Sequence, residues 1–135
     1  MVADTSGVPA YHSAIYQDNT CWMKCRNINY VTKIKVVIAM TFENVLNVFA
    51  DYLREDTDCE VINTKHGYTV LVWDSRGQEW SLCEYCGTPK ALRNTLLGTY
   101  WDFTELHTTH ARRELTEEER AGIEASCDRL REQCE

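Results

Sequence analysis

A change of rhythm at Thr41 constrains this chain more than any other feature. Before it, residues 28–40, INYVTKIKVVIAM, alternate as a pleated strand does. Ile34, Val36, Ile38 and Met40 share one side, and Val31, Lys33, Lys35 and Val37 share the other. After it, residues 41–54, TFENVLNVFADYLR, move to helical spacing. Phe42, Val45, Leu46, Phe49, Tyr52 and Leu53 recur at three and four residues and form one apolar face, with Thr41 placed as the N-cap. A chain that carries both periods back to back needs a sheet and a helix that covers it.

The same reading extends along the chain. Residues 1–9 are small and polar, with Gly7 and Pro9, and read as a flexible lead-in. Residues 10–17 alternate like a strand, with Tyr11, Ser13 and Ile15 opposite His12, Ala14 and Tyr16. The stretch GYTVLVWDSRGQEWSL predicts a hairpin with strands Tyr68 to Trp73 and Glu79 to Leu82. Its turn is Asp74-Ser75-Arg76-Gly77, where Gly77 is the natural residue for positive φ. Residues 90–98 predict a short helix ending at Gly98. Thr116 and Glu119 form a capping box ahead of a last helix, whose stripe is Ile123, Cys127, Leu130 and Cys134. The expected class is α+β: a small antiparallel sheet packed with an amphipathic helix and a C-terminal helix, in a single domain over residues 10–135.

Composition narrows the setting. The 135 residues are 44% hydrophobic and 26% charged, which suits one globular core. No stretch of about 18 apolar residues could span a bilayer. The opening MVADTSGVPAYH lacks a basic start followed by an apolar run, so no signal peptide is expected. A net charge of −7 opposes broad binding to a phosphate backbone and so does not point to RNA, although Lys33 and Lys35 could form a local basic patch. Seven cysteines, an odd number without an export signal, read as thiols, metal ligands or nucleophiles of a reducing compartment. The expected location is the cytoplasm, with the nucleus as the alternative.

The cysteines and histidines carry the candidate chemistry. Cys127 and Cys134 lie on the apolar stripe of the last helix and read as small hydrophobes. Cys83 and Cys86, in CEYCG, form a Cys-x-x-Cys pair at the expected end of the hairpin, where a turn could aim both thiolates at one zinc ion. Cys21 and Cys25 could complete such a site, and His107 with His110 is the rival completion. No other cofactor is indicated. His66 reads as a turn histidine. The catalytic alternative pairs a thiolate with an imidazole that takes its proton. His12 with Cys83 is the best such pair. Cys59 follows a helix rather than opening one, and Cys21 with His66 would need a helix at Cys21 where residues 22–31 lack helical spacing.

YHSAIYQDN resembles the H-box of the NlpC/P60-related family that includes lecithin–retinol acyltransferase, the HRAS-like suppressor acyltransferases and the H-box/Asn-Cys 2A proteins of parecho-, kobu- and tremoviruses. His12, Ala14, Ile15 and Tyr16 carry the match, and Cys83 is the candidate for the Asn-Cys box. Leu82 stands where that box has Asn, and Lys24 lies in the region where the cellular enzymes have a second histidine. The resemblance therefore implies a small viral-type non-structural protein that binds host or viral partners during replication, with a degenerate Cys/His site rather than an active one. An active acyltransferase or protease using His12 and Cys83 is the enzymatic alternative. NINYV and WSLCEYCGTPKAL are similar to the zinc-binding early-region-4 34-kDa protein of adenoviruses. Ser81, Leu82 and Cys86 also approximate a box that recruits elongin B/C, with Lys90 where that box has an aliphatic residue. This second resemblance implies a zinc-stabilised adaptor for a ubiquitin ligase.

Overall fold

The computed structural model describes residues 39–135. The readings placed on residues 1–38, including the lead-in, the strand over 10–17 and all but the end of the strand over 28–40, lie outside the described residues. Seven elements follow one another: α1 (Phe42–Val48), α2 (Ala50–Glu55), β1 (Cys59–Thr64), β2 (Gly67–Asp74), β3 (Glu79–Cys86), α3 (Pro89–Thr109) and α4 (Glu117–Cys134). The class is α+β, as expected. The strands form an antiparallel meander in the order β1-β2-β3, with β2 in the centre.

The helical segment after Thr41 begins where expected. Thr41 Oγ1 accepts the Asn44 N–H at 3.1 Å and caps α1. The single expected helix is two, because Phe49 adopts φ −91° and ψ 5° between them. Asn47, Val48 and Phe49 are all modest helix formers, so the bend falls at a weak point. The hydrogen-bond ladder passes through it, with Phe49 N to Val45 O at 3.1 Å and Leu53 N to Phe49 O at 2.9 Å. The apolar face survives, and Val45, Phe49 and Tyr52 are buried.

Strand β1 was not foreseen in the sequence. The hairpin it makes with β2 turns on Lys65 and His66 and closes at the Thr64–Gly67 pair. Gly67 has φ +132°, and a Cβ there would lie 2.7 Å from the Cys86 carbonyl oxygen, so only glycine fits. In the second hairpin the expected role of Gly77 is corrected. Gln78, with φ 54°, takes the left-handed conformation. Gly77 is required for space instead, since a Cβ would lie 2.9 Å from Asp74 Oδ2. Asp74 Oδ1 accepts the Arg76 N–H at 2.9 Å, and Gln78 Nε2 donates to the Ser75 carbonyl at 2.6 Å.

The helix expected to stop at Gly98 runs on to Thr109. Leu92, Leu96, Leu97 and Thr99 are buried along it, and that burial outweighs the roughly 1 kcal/mol that a helical glycine costs. α3 packs on β2 and β3 on one side and on α1 and α4 elsewhere. Leu92, Leu96, Phe49, Val45, Val70, Cys86 and Cys134 form the fully buried centre. Polar links pin the elements. Tyr52 Oη donates to Asp56 Oδ2 at 2.9 Å, and Asn44 Nδ2 donates to the Cys134 carbonyl at 3.1 Å. The buried Arg93 guanidinium reaches Glu135 Oε1 at 3.0 Å. Burial pushes the Tyr52 hydroxyl far above its ordinary range.

The capping box is present at the start of α4. Thr116 Oγ1 accepts the Glu119 N–H at 3.2 Å, and Glu119 Oε2 accepts the Thr116 N–H at 2.9 Å. Arg113 grips the same carboxylate with two bonds of 2.7 and 2.8 Å. The Arg113 hydrogen bond, then that of the Thr116 backbone, pulls the Glu119 carboxyl down to about 2 from the ordinary 4.5.

Two outcomes follow. A Cβ at Gly98 would meet nothing within 4 Å. Gly98→Ala is therefore expected to stabilise the domain by about 0.5–1 kcal/mol in chemical denaturation. Because the folded-state pKa of Glu119 is depressed, its contribution is fully present above pH 4.5 and is lost as pH falls through about 2. Arg113→Gln should move the Glu119 carboxyl back toward 4.5 in a carbon-detected NMR titration.

Candidate functional site

The sequence-predicted chemistry falls on both sides of β3. Pairing with β2 carries this strand through Cys86, opposite Tyr68, rather than ending it at Leu82. Cys83 and Cys86 are thus strand residues three apart, and successive side chains on a strand alternate faces. Cys83 is exposed, opposite Leu71. Cys86 is fully buried on the other face, with Sγ 3.5 Å from Thr95 Oγ1. The expected turn that would aim both thiolates at one ion is absent between these two residues. Among the described residues no three His, Cys, Asp or Glu side chains are grouped to hold a metal ion. Cys21 and Cys25, the proposed completion, lie outside the described residues.

The rival completion is also placed differently from expectation. His107 belongs to the last turn of α3, where its Nδ1–H donates to the Phe103 carbonyl at 2.9 Å and its ring rests 4.1 Å from that of Phe103. His110 is the left-handed C-cap of the same helix. His66 is the expected turn residue, and its carbonyl accepts the Tyr85 hydroxyl at 2.5 Å.

His12 lies outside the described residues, so the His12–Cys83 pair has only one placed member. Cys83 stands in mid-strand, and the nearest following helix N-terminus is capped by Thr88 with Pro89 in its first turn. No helix dipole bears on the Cys83 thiol from that terminus. Burial raises the thiol pKa of Cys59, Cys86, Cys127 and Cys134 above the ordinary range. The residues of the elongin-type box are split. Ser81, Leu82 and Cys86 belong to β3, with Leu82 and Cys86 turned into the core, and Lys90 opens α3.

What the strands do bring together is a surface. On the inner face Cys59, Val61, Tyr68, Val70, Val72, Leu82 and Cys86 join the core beneath α3. The alternate positions make the outer face: Glu60 and Ile62 on β1, Thr69, Leu71 and Trp73 on β2, and Trp80, Cys83 and Tyr85 on β3. A β-bulge between Val72 and Trp73 resets the register so that Trp73 pairs with Trp80. The two indoles meet edge to face with centroids 5.0 Å apart. Ile62, Trp80 and Tyr85 remain 44%, 47% and 58% exposed. Glu60 is the only charged side chain among these positions.

This surface was missed in the sequence because β1 was missed. The available signal was the run YTVLVW in β2, apolar on both faces, which is the pattern of a strand covered on two sides. Comparison with family models, curated proteins and solved structures matches none of them. No helix among the described residues is long and apolar enough to cross a membrane.

The opposed cysteines give a direct check. Alkylation of the native protein with iodoacetamide, followed by peptide mapping, should label Cys83 and leave Cys86 of the same peptide unmodified. Both should react once the chain is unfolded.

Proposed function

We propose that this chain is a non-enzymatic binding protein that docks a protein partner on the outer face of its sheet. The observation that carries this reading is the Trp73–Trp80 pair on the same face as exposed Ile62 and Tyr85, where Glu60 is the one charge among the described residues. Trp and Tyr anchors contribute disproportionately to protein interfaces, because large rigid rings bury area at small entropic cost. Among the described residues no Lys or Arg stands at these face positions, which, with a net charge of −7, favours a protein over RNA as the occupant.

The reading agrees with the H-box resemblance, which implies a viral-type non-structural protein working on host or viral partners in the cytoplasm. The mid-strand position of Cys83 supports a Cys/His site whose chemistry has lapsed.

A photo-crosslinking residue placed at position 80 or 85 should trap one defined protein species in the host cell, and the same residue at position 129 on α4 should not. That species, purified, should bind the wild-type chain and lose about 30-fold or more in affinity on Trp80→Glu, the scale of an interface hot spot. Identical products from all three positions would overturn the docking face. Acylation of Cys83 by an activated ester, abolished by His12→Ala, would overturn the non-enzymatic reading.

A further inference from the structure

We propose that Tyr52 is a positioning residue for the Trp73–Trp80 pair. Its buried hydroxyl acts through the Asp56 carboxylate and the Asp58 peptide, and so fixes the backbone from which Trp73 meets Trp80. The use of the pair rests on the docking reading above, whereas the relay stands on its own hydrogen bonds. Tyr52 Oη donates to Asp56 Oδ2 at 2.9 Å. The other oxygen of that carboxylate, Oδ1, accepts the Asp58 N–H at 3.1 Å. The Asp58 carbonyl then accepts the Trp73 N–H at 2.9 Å. A core side chain of α2 is thus joined to the first member of the indole pair by three successive hydrogen bonds.

The bulge is what makes such an anchor necessary. A β-bulge interrupts the ladder and bends and twists the strand that carries it. Between the Val72–Leu82 and Trp73–Trp80 pairs, Ser81 is the extra residue. Its hydroxyl donates to the Val72 carbonyl at 3.2 Å and holds the β3 side of the bulge. Asp58 holds the other side, yet it precedes β1 and belongs to the turn that leaves α2. A turn residue is only as fixed as the bonds that hold its turn. The two bonds of the Asp56 carboxylate do this, together with the Cys59 N–H, which reaches the Asp56 carbonyl at 3.3 Å. The edge-to-face contact of the indoles, at 5.0 Å and 74°, changes with a small shift of either backbone.

Burial argues that Asp56 serves geometry more than stability. The residue is only 8% exposed. A buried carboxylate carries a desolvation cost, and apolar replacements of buried charged groups are often neutral or stabilising. What a carboxylate offers here is two acceptor oxygens on one planar group, one for a helix side chain and one for a turn peptide. Tyr52 is itself held at its ring, edge-on to Tyr100 at 5.4 Å and to Phe103 at 5.6 Å. The position of α3 in the core is thereby passed to the outer face of the sheet.

The test uses the full chain and the circular dichroism of the pair. Two indoles this close couple their transition dipoles, and the amplitude of the resulting exciton couplet depends on their distance and angle. The couplet of the pair is the part of the spectrum lost in Trp80→Phe. Tyr52→Phe keeps the ring and removes the hydroxyl, and should lose most of that couplet. It should also speed amide exchange at Trp73 by about tenfold, the scale of one weakened hydrogen bond, beyond any common change in the other β2 amides. Asp56→Asn leaves one acceptor oxygen for two donors and should do the same. The double variant should lose no more than either single one, because both break one relay. Asn44→Ala, which removes the α1–α4 hydrogen bond, should keep the couplet. A folded but less stable Tyr52→Phe protein with the couplet intact would make Tyr52 a core residue only and overturn the proposal. Additive losses in the double variant would overturn the route through Asp56. Should Tyr52→Phe not fold, Asp56→Asn carries the same two readouts. The docking reading fails separately, on the crosslinking at positions 80 and 85.

Discussion

The described domain depends on the burial of one helix, α3, against everything else. Leu92 and Leu96 are fully enclosed, and the helix touches β2, β3, α1 and α4. Two buried leucines contribute on the order of 2–3 kcal/mol each relative to exposure, and truncating either in a close-packed core costs about 2–5 kcal/mol. That contribution keeps α3 helical through Gly98, where local preference alone would have ended it. It also fixes which side of the sheet is the inside. Once Val70, Cys86 and Cys59 turn toward α3, strand alternation obliges Leu71, Trp73, Cys83 and Ile62 to turn the other way. The apolar outer face is thus a by-product of the core's choice of register.

Elements with strong local signals were legible in the sequence. The Thr116/Glu119 capping box, the Ile123–Cys127–Cys134 stripe and the apolar face from Val45 to Tyr52 all stand where spacing put them. What failed was whatever non-local pairing decides. β1 is short, and only its partnership with β2 makes CEVINT a strand. β3 outlasts Leu82 because Tyr68 offers Cys86 a ladder partner. That extension turns an apparent metal knuckle into two thiols on opposite faces. Gly77 and Gln78 show the same limit at the scale of a turn. Glycine is where positive φ is cheapest, yet the closeness of the Asp74 carboxylate uses its missing Cβ instead.

The candidate site was accordingly less legible than the fold. Attention in the sequence goes to residues with reactive atoms, such as His12, Cys21, Cys25, Cys83 and Cys86. The structure draws it to residues whose value is area: Trp73, Trp80, Ile62 and Tyr85. A row of this kind is visible only after the register between three strands is known, because its members come from different parts of the chain. Residue chemistry pointed toward catalysis or metal, whereas the described residues of the outer face are mostly aromatic and aliphatic.

The bond from Asn44 to the Cys134 carbonyl has a consequence for the order of assembly. It spans 90 residues of chain, the greatest separation among the side-chain hydrogen bonds of the described residues. The two hairpins, by contrast, close across loops of two and four residues. Loop-closure entropy therefore favours early hairpins and late docking of the end of α4 on α1. That last contact is made at Cys134, whose side chain is fully buried, so the end of α4 completes the core rather than fringing it.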